Sequence, residues 1–364
     1  MTDDADSVEA ASDGGVEPTP RLESASARVN EQFENIRKTR RRRAVGWAGL
    51  VTALGFITLQ GLAATEFFDG RTNFTWSHFA GRMGDYFPRT DVAGIPFLDV
   101  WTYWEFISAN DLIYDPEIGG LILQFPPNAG DLYAFFFLEM GVFAIFGEAG
   151  ITLAMGLVGT VLGFPLAFLF SVLASERVTP FPINFIFRGI MSFIRAIPAI
   201  IWALIFVALV GLGAAAATLA IALNTIGNLG RLFVEELEEL EDGPIEAMQT
   251  TGANKPQIVF FGMLSQVKTS FIAWTLYIFE INVRSAVTVG VIGAGGLGAV
   301  VANQEARLVF ENMMATLFVI FVLIFLVELF SQRLRSRLRS DNVEMSLWEQ
   351  ITGFPRRMAE SALK

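Results

Sequence analysis

The stretch EAMQTTGANKPQIVFFGMLSQ, Glu246 to Gln266, decides how the rest of the chain is read, because it is a polar island between two long apolar blocks. Its acidic start favours a helix, Gly252-Ala253-Asn254 interrupts that helix, and the second half is amphipathic. The pattern predicts two short helices joined by a turn. Carried on one face of a membrane, such a shape is a protruding knob suited to a groove on a soluble partner. On spacing alone, an ordinary helix-turn-helix loop explains it as well.

The island implies a membrane, and composition supplies one. Of 364 residues, 53% are hydrophobic and the mean hydropathy is +0.48, which marks an integral membrane protein with several spans' worth of apolar sequence. With no Cys and one His, His78, the chain lacks the material for disulfides, thiol catalysis, zinc fingers or a His-rich metal site, and His78 reads as a solvated loop residue. The net charge of −11 comes from acidic residues gathered in the N-terminal tail and one large loop. Adaptation to high salt and a merely acidic tail both fit it.

Before the island, residues 196–230 carry no charge over 35 positions. As one helix they would measure ~52 Å against a hydrocarbon core of ~30 Å, so they must fold back. Gly211 to Gly213 is the expected turn, between an outward helix from about Phe193 and an inward one from Ala214 to about Phe233. Further back, Ile151 to Ala174 is an uncharged span in which Gly156, Gly159, Gly163 and Pro165 favour close helix approach or a kink, and Pro180 and Pro182 shape a short inner loop over 175–188. Residues 66–148 hold twelve acidic residues and three Arg and are expected outside. Within them, Tyr133 to Phe146 is apolar but short and carries Glu139, which predicts an interfacial helix. IRKTRRRR, Ile36 to Arg43, abuts the uncharged run Ala44 to Ala64, so it reads as a cytoplasmic topology signal before the first span and not as a nucleic-acid site. Residues 1–35 are expected to be a disordered acidic tail.

After the island, Ser270 to Ile292 spans outward, Asn312 to Phe330 returns, and RLRSRLR, Arg333 to Arg339, marks a cytoplasmic end. The expected fold is an all-α polytopic membrane protein with six transmembrane helices and both termini cytoplasmic. Its parts are a tail at 1–35, a basic anchor and first helix at 36–65, an external segment at 66–148, a five-helix core at 149–338 with its loop at 235–268, and a cytoplasmic tail at 339–364. GAGGLG, Gly293 to Gly298, follows a membrane helix and not a strand, so a turn or re-entrant segment is expected there in place of a nucleotide loop.

The spacing Glu246-Ala247, Gly252 and Leu264 resembles the EAA loop of ABC importer permeases. Phe279 to Gly298 (FEINVRSAVTVGVIGAGGLG) and Phe193 to Gly213 resemble the corresponding parts of phosphonate/phosphate-type importer permeases, over roughly Ile151 to Leu338. Met248 departs from the third motif position, and Ser265 stands where that family usually has Pro. The resemblance implies a type I ABC importer permease fold with a methionine-importer-like core, and coupling to an ATPase through Glu246, Ala247 and Gly252. It implies a homodimer in the lipid bilayer of the cell membrane, with an ABC ATPase subunit inside and an extracellular substrate-binding protein outside. No GxxxxGK[ST] sequence occurs, so ATP and Mg belong to the ATPase and the chain itself carries no cofactor, no metal and no catalytic residue. Phosphonate, phosphate or a related oxyanion is the expected cargo. A methionine or quaternary-amine importer is the alternative within the class, and an ion-coupled carrier the alternative outside it.

Polar residues inside the spans have two readings each. Glu280 and Arg284 lie one turn apart and either line the translocation path, with Asn282 nearby, or form a structural ion pair. Asn224 and Asn228 share a helix face, and Arg195 stands at the inner end of the third helix beyond Arg188. These are path residues or, alternatively, interhelical glue and snorkelling arginines.

Overall fold

The computed structural model describes residues 20–65, 76–92, 95–123, 128–138 and 141–338. The His78 imidazole, Glu139, residues 1–19 of the expected tail and the whole of 339–364 lie outside the described residues. The chain divides into two compact units, Met1–Phe79 and Ala80–Lys364.

The first unit is dominated by α1 (Pro20–Ala64), a 45-residue helix. Helix therefore begins at Pro20, inside the segment expected to be disordered. Proline suits a first helical position, and the following residues to Lys38 contain no Gly or further Pro, repeat Leu22, Val29 and Ile36, and set Glu34 four before Lys38. In the uncharged half, the Thr52 and Thr58 hydroxyls donate to the carbonyls of Ala48 and Leu54 at 2.8 Å. Apolar surroundings require that internal satisfaction of polar groups.

α2 (Trp76–Tyr86) begins in the first unit and ends in the second. An antiparallel ribbon follows, β1 (Arg89–Val92) and β2 (Ile95–Leu98), with Arg89 opposite Leu98; it is an addition to an otherwise helical chain. α3 (Val100–Ala109) is capped by Asp99, whose Oδ1 accepts from the Trp101 and Thr102 amides at 3.1 and 3.3 Å. α4 (Pro116–Leu123), α5 (Ala129–Tyr133), a π-helical turn at Ala134–Leu138 and α6 (Gly141–Ala144) come next. On either side of residues 139–140, the stretch expected as one interfacial helix is helical, π-helical over Ala134–Leu138 and α-helical over Gly141–Ala144. The Phe135 ring folds over Gly141, where a Cβ would lie 2.2 Å from it.

The remaining elements form the core. They are α7 (Gly147–Ala174), α8 (Ile183–Ala196), α9 (Ala199–Val210), α10 (Ala214–Glu238), α11 (Asp242–Thr250) and α12 (Lys255–Gln257). A π-helical segment Ile258–Met263 leads into α13 (Leu264–Val289); a second π-helical turn, Gly290–Ala294, precedes α14 (Gly296–Ala306) and α15 (Phe310–Leu338). Among the described residues, five helices are long and apolar enough to cross a membrane, and α8 with α9 makes a sixth if the bent pair counts as one span.

That bent pair corrects the expected third span. In place of one helix from Phe193, α8 starts at Ile183 and turns 91° into α9. Pro198 is the cause: it has no N–H to donate, and it drives Ile197 to φ −104, ψ 120, out of the helical region. The fold-back after α9 lies where expected, with Gly211 at φ +86 and Gly213 at φ +150. The glycine stripe of α7 also behaves as its composition implies. A Cβ on Gly156 would lie within 3.0 Å of the Val283 backbone, one on Gly159 2.6 Å from Ile221, and one on Gly163 2.5 Å from the Ala222 carbonyl. α7 therefore touches α10 and α13 almost backbone to backbone.

Below that contact Phe233 and Phe271 stack at 3.9 Å, in a cluster with Leu229, Leu237, Met263 and Val267. The GAGGLG stretch is a tight turn followed by a helix. Gly293, Gly295 and Gly296 all have positive φ, and the Leu297 amide donates to Thr152 Oγ1 at 2.9 Å.

Candidate functional site

The polar island folds as two helical segments about a turn, and each side of the turn is closed by its own hydrogen bonds. α11 ends in a Schellman motif, with the Gly252 amide donating to the Gln249 carbonyl at 3.0 Å and the Ala253 amide to the Met248 carbonyl at 3.1 Å. This motif needs a left-handed residue, and Gly252 supplies it at φ +81. α12 opens with a capping box: Gln257 N–H donates to Asn254 Oδ1 at 3.0 Å, and Asn254 N–H to Gln257 Oε1 at 2.9 Å. Only Ala253 separates the two caps, so little slack remains at the tip.

Glu246, Ala247 and Gly252 are all exposed, and the structure presents them together on this knob. Met248 is half-buried, its sulfur 2.9 Å from where a Cβ on Gly262 would lie, so the bulkier residue at that motif position is matched by a missing side chain opposite. Ser265 keeps the backbone N–H that a proline would lack. Its hydroxyl donates to the Phe261 carbonyl at 2.6 Å, and the π-helical segment runs into α13 without a break.

The knob is tied to the helices behind it. Arg177 reaches Asp242 at 2.7 Å, and Ile245 and Val259 join the buried cluster of Leu237 and Met263. Trp274 Nε1 donates to Glu236 at 2.7 Å, joining α13 to α10. Arg188 Nε donates to the Ala174 carbonyl at 2.9 Å, while its Nη2 pairs with Glu238. Displacement of the knob must therefore move the ends of α10 and α13. Phe260 and Phe261, 62% and 72% exposed beside it, are apolar surface that spacing did not single out.

The polar residues within the spans fall into three groups. Asn282 is 1% exposed, and its Nδ2 donates to Thr160 Oγ1 at 2.8 Å and Thr225 Oγ1 at 2.7 Å. Both threonine hydroxyls are spent on their own helices, on the Gly156 and Ile221 carbonyls, so they can only accept from Asn282. This clamp joins α7, α10 and α13 and holds Asn282 in helix packing. Thr160 and Thr225 were invisible in the sequence because a single hydroxyl in an apolar span carries no spacing signal.

Glu280 and Arg284 pair at 2.5 Å, as their spacing implied. The structure adds Arg335 to Glu280 at 3.6 Å and Glu328 to Arg284 at 3.7 Å, both from α15. The result is a charge-balanced cluster of two acids and two bases linking α13 to α15. Asn224, Asn228 and Arg195 form the third group. Arg195 Nε donates to Asn228 Oδ1 at 3.2 Å, and Asn228 Nδ2 to Asn224 Oδ1 at 3.0 Å.

Residues 159–340 match the family of binding-protein-dependent transport system inner membrane components. The chain belongs to that family. This inner membrane component is 34% identical over 224 residues to the phosphate-import permease protein PhnE of Mycolicibacterium smegmatis, an alignment covering 61% of the chain and 40% of that protein. It is 32% identical over 189 residues to the phosphite transport system permease protein PtxC of Stutzerimonas stutzeri, covering 52% and 69%. Among solved structures, an inward-facing MetNI methionine ABC transporter aligns with a TM-score of 0.45 at 23% identity, over 56% of the chain and 97% of that one. The chain thus spans less than half the length of its mycobacterial relative. The matched region of this component contains the knob, the clamp and the ion cluster.

Proposed function

We infer that the chain is the membrane-spanning subunit of an ABC importer for a phosphorus oxyanion, phosphate, phosphite or phosphonate. The observation that carries this reading is the knob, a twice-capped, exposed turn tied to two core helices in a chain of the binding-protein-dependent family. Glu246, Ala247 and Gly252 are the docking residues for a separate ATPase, which holds the ATP and Mg. Two copies of the chain line the pathway, a binding protein delivers cargo from outside, and both termini are cytoplasmic. ATP binding draws the ATPase pair and the knobs together, favouring one end of an alternating-access cycle, and hydrolysis resets it. The oxyanion assignment is supported by the relatives, whose names specify phosphate and phosphite.

The test is ATP turnover of the reconstituted complex with its ATPase and binding protein, across phosphate, phosphite, methylphosphonate, methionine and glycine betaine. Stimulation by a phosphorus oxyanion is expected. Stimulation by methionine or betaine alone would overturn the cargo, and uptake without any ATPase would overturn the class.

A further inference from the structure

Among the described residues most guanidinium groups of the core have carboxylate partners, and those without one are Arg195, Arg307, Arg333 and Arg337, the last two in the basic C-terminal run of α15. Arg177, Arg188, Arg231 and Arg284 each lie within 4 Å of an Asp or Glu. Arg195 has no ion-pair partner among the described residues, although it stands on a helix whose neighbouring positions are apolar, Phe193 among them at 62% exposed. Arg195 is itself exposed, and because a lone cation is costly in hydrocarbon, such a group reaches either the membrane surface or a water-filled passage.

Arg195 is also positioned. Gly227 has no side chain, and a Cβ there would lie 2.7 Å from Arg195 Cγ, so the arginine stem rests against α10 at that gap. Asn228, oriented by Asn224, accepts from Nε. Nε is thereby occupied, and the two Nη groups, without an ion-pair partner among the described residues, form a fork of the kind that matches phosphate oxygens. Three residues on, the chain breaks at Pro198, and α9 starts at Ala199. The first amides of a helix have no partner within it and carry positive potential, here on the same break as the guanidinium.

We propose that Arg195, held by Asn228 and Asn224 at the break between α8 and α9, is a contact site for the phosphorus oxyanion during passage. This rests on the importer reading above and gives it a residue. One guanidinium binds a dianion loosely, which suits a conduit that must release its cargo.

The experiment measures uptake and ATP turnover together, in proteoliposomes holding the complete complex with its binding protein, for phosphate, phosphite and methylphosphonate. Arg195→Gln removes the fork, Arg195→Lys keeps charge without the fork, and Asn228→Asp gives Arg195 a carboxylate. Oxyanion uptake per ATP hydrolysed is expected to fall at least about tenfold in Arg195→Gln and Asn228→Asp, with Arg195→Lys between. Should Arg195→Gln fail to assemble, Asn228→Asp decides. Unchanged uptake per ATP, or uptake and turnover falling in proportion, would overturn the site while leaving the importer intact. A wild type stimulated only by methionine or betaine would overturn both.

Discussion

Asn282 shows how much one side chain can be asked to hold in a bundle without water. Its amide supplies the donors that two otherwise self-satisfied threonines lack, so Asn282→Ala should lower stability by about 1 kcal/mol. Asn282→Asp should cost more, because a carboxylate would meet two hydroxyl oxygens whose hydrogens already point elsewhere. Thermal unfolding in detergent, read against wild type, checks the order. Glu280 is a different case: it is 7% exposed and faces both Arg284 and Arg335. Glu280→Gln leaves two guanidinium groups with Glu328 alone and should destabilise by about 1–3 kcal/mol, discounted for the half-exposed Arg284. Arg284→Gln should be milder, since Arg335 still faces the carboxylate; a reversed order in the same assay would say that Arg335 contributes nothing.

At the scale of the element, the knob and the glycine contacts make opposite predictions. A Cβ on Gly252 would meet nothing within 4 Å, so the only obstacle to a side chain there is the positive φ. Gly252→Val should strain the turn by about 1–2 kcal/mol and reduce ATPase co-purification, while the melting of the core stays close to wild type. Gly156→Val has ordinary helical backbone but no room beside Val283. It should force α7 from α13 and cost about 2 kcal/mol or more, seen as lower melting and lower yield. Hydrogen exchange at 250–258 would separate the two: faster in the Gly252 variant, unchanged in the other.

For the whole molecule, the proposed orientation is testable because the chain has no native cysteine. Glu246→Cys should react with a membrane-impermeant maleimide only in inverted vesicles, and Val100→Cys only from outside intact cells; the converse pattern would refute the cytoplasmic knob. Much of this architecture was legible in the sequence. Charge-free runs mark helices that must be hidden from water, Gly211 to Gly213 marks the fold-back, and Gly252 marks the turn, because each depends on local chemistry or on summed apolarity along the chain. Helix over Pro20 to Asn35 and the bend at Pro198 went against that reading. Propensity and a missing N–H each acted locally against the average. Only the tertiary structure decided how the polar residues of the core are partnered. Asn282 clamps three helices, Glu280 joins a second ion pair from α15, and Arg195 meets no carboxylate among the described residues, since hydrogen-bond and charge partners more than 30 residues away are fixed by helix packing and by nothing in local spacing.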